Sequence, residues 1–223
     1  MKRFSLAVIS LFIVACASKE LANEAQFSGF LEDYSQLQEF NVETGVGLIW
    51  LAEDLGERGY TKVILEPTVI YPGLKYDSEE AQEFSSEIKA YMDIGIQTQV
   101  GNKGLIVTDN PGTDTVRVRF ALTSVDISNK DFEAYEYIPV AFVWATAKSV
   151  AGAREQAVEL FWEAEMTDSV TGEVLGRSVR KGRGGNLENK NAVLTQENLL
   201  PVIDKWIIDA GNVAGYIQGT FKY

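Results

Sequence analysis

The chain has 223 residues, 46% of them hydrophobic, 11% aromatic and 23% charged, which is the composition of a folded domain and excludes a disordered one. Its net charge of −12 opposes general binding to nucleic acid or to an anionic membrane surface, both of which need a basic face. It has no histidine and one cysteine, so histidine-based triads, the commonest transition-metal ligand, intrachain disulfides and thiolate zinc clusters are all unavailable.

In chain order, Lys2 and Arg3 form a short basic start, followed by the apolar run Phe4 to Ala15. Twelve helical residues span about 18 Å at 1.5 Å each, short of the roughly 30 Å hydrocarbon core of a bilayer. The run therefore fits the apolar region of a signal peptide better than a transmembrane helix. Ile13-Val14-Ala15-Cys16 resembles the lipobox of bacterial lipoproteins, which implies cleavage after Ala15 and lipid attachment at Cys16. Two or three acyl chains anchor stably at about 0.8 kcal/mol per buried methylene. Ala17 and Ser18 follow, with no Asp; by resemblance to enterobacterial sorting, the expected location is the outer membrane, facing the periplasm. Loss of Lys2 and Arg3 with the leader takes the net charge from −12 to −14. The expected organisation is a signal peptide over 1–15, a lipidated Cys and tether over 16–27, and a single domain over 28–223.

Val46 to Leu51 reads as a short strand, and Thr61 to Tyr71 as a stronger one in which Pro67 implies an edge or a bulge. Asp77-Ser-Glu-Glu80 looks like a capping box. Ala81, Phe84, Ile88, Tyr91 and Gly95 then predict a helix to about Val100, ended by Gly101 and Gly104. Leu105 to Asp109 is a further strand, with a turn at Asn110 to Thr113. Val116, Val118, Phe120 and Leu122 alternate with Arg117 and Arg119, a half-buried strand with its cations outward. The stretch 138–151 fits either a strand or a buried helix. Val158 to Met166 alternates again, Asp168 to Gly172 turns, and Glu173 to Gly182 returns as a hairpin. A helix with a wide apolar face starts near Asn198, with Pro201 in its first turn. The fold class is α+β: a mainly antiparallel sheet with packed helices, including a long C-terminal amphipathic helix.

Several of these segments resemble a family of bacterial lipoproteins catalogued as domain of unknown function 3313. They are Ser28-Gly29-Phe30-Leu31 with Asp33-Tyr34-Ser35, then Tyr60 to Pro72, then Glu163 to Leu175. The opening segment has Glu32 where a proline is associated with the family. The resemblance implies a lipoprotein and the same fold class, and brings no activity with it.

Three constellations could carry chemistry. Glu159, Glu163 and Glu165 share a strand face near Asp168, and a carboxylate pair can hydrolyse glycosides; strand alternation alone also produces such a row, expected here on the solvent side. Arg180, Lys181 and Arg183, with Arg177, Gly182, Gly184 and Gly185, form the densest cationic run, a candidate contact for lipopolysaccharide phosphates or an anionic wall polymer. Gly211, Gly215 and Gly219 recur every fourth residue, as expected for close packing of the last helix on the sheet. Trp50, Trp144, Trp162, Trp206 and Phe120 fall on apolar faces and are expected in the core. No catalytic residue, metal site or cofactor is expected. The sequence reads as a non-enzymatic, membrane-tethered interaction domain, partnered by the membrane through its lipid and by an envelope protein or anionic polymer. The alternatives are a binding module for a lipid or anionic glycan, and a carboxylate-dependent hydrolase.

Overall fold

A computed structural model of the chain describes residues 21–73, 79–129, 156–185 and 195–220. The expected signal peptide, Cys16, the start of the capping box at Asp77 and the ambiguous stretch 138–151 with Trp144 lie outside the described residues. Within them, an eight-stranded mixed sheet carries two long helices, the α+β architecture expected from the alternation of periods.

The strands are β1 (Gln38–Val42), β2 (Gly45–Leu51), β3 (Lys62–Leu65), β4 (Val69–Ile70), β5 (Ile106–Val107), β6 (Thr115–Asn129), β7 (Gln156–Asp168) and β8 (Val174–Arg183). They run in the order β1-β2-β8-β7-β6-β3-β5, with β4 also on β6. The pairs from β1 to β6 along this path are antiparallel; β3 is parallel to both β5 and β6, and β4 to β6. Helix α1 (Glu79–Asn102) makes the crossover between the parallel strands β3 and β5, the connection a parallel pair requires. The strand expected over 61–71 is two strands: Pro67 donates no hydrogen bond, and the ladder stops on either side of it. β3 is also interior, between β5 and β6, not an edge.

Helix α2 (Gln196–Ile217) begins two residues before Asn198, whose side-chain carbonyl accepts from the Thr195 N–H at 2.9 Å. Pro201 therefore lies in the second turn, not the first. The two helices lie side by side in the same direction, with Tyr91 beside Asp204, Gly95 against Ile207 and Gly211 against Gln99. Gly211 thus serves the approach of helix to helix, not of helix to sheet, and Gly219 ends α2 in a left-handed conformation (φ 64°) against Gly56. The buried face of α1 is Ala81, Ser85, Ile88, Met92, Ile96 and Val100, rotated from the expected one so that Tyr91 is exposed.

The main core lies between this helix pair and one sheet face, where Phe120, Trp162 and Trp206 stack in series with centroids 5.5 Å apart at each step. A second, smaller core lies on the opposite face. Residues 22–37 fold across that face and bury Ala22, Phe30 and Leu31 against Ala121, Phe161 and Val179. The chain expected as a tether is thus already packed at Ala22 and Gln26, and the face expected to meet solvent is covered.

Candidate functional site

Covering that face changes the chemistry of the carboxylate row. Strand period places Glu159, Glu163 and Glu165 together on it, as the sequence implies, but Glu163 and Glu165 are buried. Glu163 accepts hydrogen bonds from the Ser28 N–H at 2.9 Å and the Tyr34 hydroxyl at 2.7 Å. Burial, then this bond to a carboxylate, pushes the Tyr34 hydroxyl up to about 12. Glu165 lies between two guanidinium groups, accepting from Arg119 and Arg177 Nε at 2.9 Å each. Arg119 also covers the Phe30 ring at 4.4 Å and donates to the Phe30 carbonyl at 3.2 Å. Lys181 Nζ is 2.9 Å from Glu159. The row is a charge-balanced layer sandwiched between two parts of the chain. Buried charges are tolerated on such terms, paired and hydrogen-bonded.

Across the β6–β7 ladder, Arg119 faces Glu165 in register, and their side chains meet at 2.8 Å. Arg117 faces Thr167 instead and reaches Glu66 at 3.1 Å. Asp168 lies at the hairpin turn, accepting from the Thr171 N–H at 2.7 Å, the Val170 N–H at 2.9 Å and the Tyr60 hydroxyl at 2.8 Å. These bonds, that of the Thr171 N–H first, hold its carboxyl down at about 2.

The basic run divides between the two sheet faces. Lys181 belongs to the charged layer just described. Arg180 points to the helix side, buried, in an ion pair with Asp209 of α2, and Thr44 from the β1–β2 turn donates to the same Asp209 oxygen. Arg183, at the end of β8, is exposed. The glycines of the run serve packing: a Cβ on Gly182 would collide with Val202, and one on Gly184 with the Asn198 carbonyl. They let the start of α2 descend onto the sheet, and a phosphate-cradling loop is not what they build.

Two cavities flank this ion pair. The first, about 90 Å³, lies between the sheet and the two helices, with walls that include Leu51, Val118, Phe120, Met166, Val213 and Ile217. Its polar wall includes Trp162, Arg180 and Asp209. Among the described residues the buried Trp162 Nε1, Arg180 Nε and Asp209 Oδ1 have no hydrogen-bond partner. The second cavity, about 160 Å³, lies at the end of β8, beside Thr44, Val46, Val202, Lys205 and Trp206. Arg180, Lys181 and Arg183 all line it. Pairing of β2 with β8 ends at Val179, which leaves room for this opening. Arg180 is common to both cavities. The basic run supplies three lining residues of the second cavity; Lys205, the tenth residue of α2, carried no signal, and the apolar walls of the first were indistinguishable from core.

Among the described residues no group of His, Cys, Asp and Glu is placed to hold a metal ion, and no helix is long and apolar enough to cross a membrane. Residues 26–210 match the family described as protein of unknown function, DUF3313. The uncharacterised lipoprotein YdcL of Escherichia coli strain K12 is 30% identical over 201 residues, 90% of each chain. Among solved structures, the PelC dodecamer of Paraburkholderia phytofirmans is similar over 79% of this chain and 99% of that one, with 12% identity and a TM-score of 0.37. A minor lipoprotein of Acinetobacter baumannii is similar over 72% and 92%, with 11% identity and a TM-score of 0.34.

Proposed function

The chain belongs to the DUF3313 family of lipoproteins, and from that premise we propose that it is a non-enzymatic binding domain, anchored through Cys16 to the periplasmic face of the outer membrane, that takes an apolar ligand between its sheet and its helices. The observation carrying this reading is the first cavity. Half-buried apolar side chains such as Leu51, Val118, Ala210 and Val213 line it, beside buried polar atoms left without partners. Unsatisfied buried donors and acceptors are uncommon in folded proteins, and a binding site is one of the places where they recur.

The charged layer supports the non-enzymatic part. A general acid or base needs a carboxylate within reach of a substrate proton. Glu163 and Glu165 meet backbone, phenol and guanidinium groups of their own chain.

Native mass spectrometry of the full lipidated chain, released from detergent micelles, tests the reading. Wild type is expected to retain a bound amphiphile, and Val213→Trp, which fills the cavity from α2, is expected to lose it. Wild type appearing only as the bare lipidated chain would sink the proposal.

A further inference from the structure

As its walls stand, the first cavity is too small for an amphiphile. Its volume is about 90 Å³, whereas an apolar cavity that holds benzene measures roughly 150 Å³. One wall has to give, and the walls are unequal. Helices α1 and α2 and strands β3, β6, β7 and β8 each put buried side chains into the main core, among them Met92, Ile203, Val63, Val116, Leu160 and Leu175. The remaining wall is the hairpin of β1 and β2, which contributes Val42, Ile49 and Leu51. It stands at the edge of the sheet, and the one buried residue in its two strands is Gly47. Displacing side chains that are already half-exposed uncovers little new apolar surface, so this wall opens at the least cost.

The hairpin has two kinds of attachment. Toward its base, Leu48 to Leu51 pair with Val179 to Gly176 of β8. That ladder stops short of the tip, and the turn reaches across to α2 instead. There the Thr44 hydroxyl donates to Asp209 Oδ2 at 2.5 Å, and Asn212 Nδ2 donates to Glu43 at 2.8 Å. Arg180 pairs with the same Asp209 oxygen, and its stem lies where a Cβ on Gly47 would be, so the tip closes flush over it. We propose that the tip of the β1–β2 hairpin is the lid of the first cavity, hinged on the β8 ladder and latched to α2 through Thr44 and Glu43. This rests on the reading of that cavity as a ligand site and adds the way in. Val42 swings out with the tip and opens the cavity toward the sheet edge. Two hydrogen bonds of ordinary net strength hold the latch, so it releases locally while the helix pair and β6 to β8 stay packed.

A reversible bridge across the latch tests this. The full lipidated chain in phosphatidylcholine nanodiscs carries Glu43→Cys with Asn212→Cys, joined by methanediyl bis-methanethiosulfonate and released by a reductant. The probe is dodecanol with a diazirine near the end of its chain, and photolabelled peptides are mapped. The reduced form is expected to be labelled in β6 and the second half of α2. The bridge is expected to abolish that labelling, and reduction to restore it. Glu43→Cys alone, treated with the same reagent, is expected to label as wild type. Glu43→Ala with Thr44→Ala, which keeps every wall of the first cavity, is expected to raise the labelling rate about tenfold through the loss of two hydrogen bonds. Equal labelling of the bridged and reduced forms, or no gain on loosening the latch, would overturn the lid. Loss of that labelling in Val213→Trp would in that case still leave the cavity as a ligand site. No labelling of the cavity walls in any of these chains would remove the site, and the lid with it.

Discussion

At the scale of single residues, the charged layer is where alternation told half of the truth. Strand period alone put Arg119 and Glu165 on one face, and antiparallel pairing then made them neighbours. The same period put Glu163 there too, but its partners Ser28 and Tyr34 come from 135 and 129 residues away on a segment with no periodicity to read. Tyr34→Phe leaves the buried Glu163 with one donor fewer and is expected to lower stability by about 1–3 kcal/mol, read as a fall in midpoint on urea denaturation. Asp168 makes the complementary case near the surface. Its carboxyl is held at about 2 against an ordinary 3.8, so its contribution is present above pH 4 and drains away as the pH falls through 2. Asp168→Asn is accordingly expected to be less stable than wild type at pH 7 and to converge with it near pH 2 in thermal melts. A constant gap across that range would show that the turn does not depend on the charge.

At the scale of elements, the long alternating strands and the amphipathic helix were legible because each carries its period over ten residues or more. The hairpin of β7 and β8 and the span of α1 follow from the residues that repeat within them. β1 and β4 were not legible: one is polar and half-exposed, and the other is two residues long after a proline. The glycines between 182 and 185 were read as a possible phosphate loop because their spacing next to arginines resembles one. What separates the two meanings is the neighbour across the gap, Val202 and Asn198, and no local pattern contains it. Gly182→Ala is expected to cost about 1–3 kcal/mol, since the methyl must displace Val202 or push α2 away from the sheet. Urea denaturation measures it, and a variant as stable as wild type would mean that α2 sits on the sheet with slack.

At the scale of the molecule, the lipoprotein family was legible in the sequence and the first cavity was not. A lipobox is a contiguous string, whereas the first cavity is assembled from six strands and two helices. Its walls are the same aliphatic and aromatic residues that would fill a solid core, so only the third dimension distinguishes a cavity from packing. Cys16→Ser is expected to abolish metabolic labelling with palmitate and to leave the precursor uncut by the lipoprotein peptidase. Persistent labelling of that variant would put the anchor elsewhere.

The burial of Ala22 sets a leash length. Five residues separate Cys16 from Ala22, and an extended chain advances at most about 3.6 Å per residue, so six steps reach roughly 20 Å. With the lipid at Cys16, the folded body rides within less than one bilayer thickness of the surface that holds it. It can rock and turn there, but it cannot swing out to search the space beyond. Whatever enters the gap between its sheet and helices has to be carried to the membrane, or come out of it.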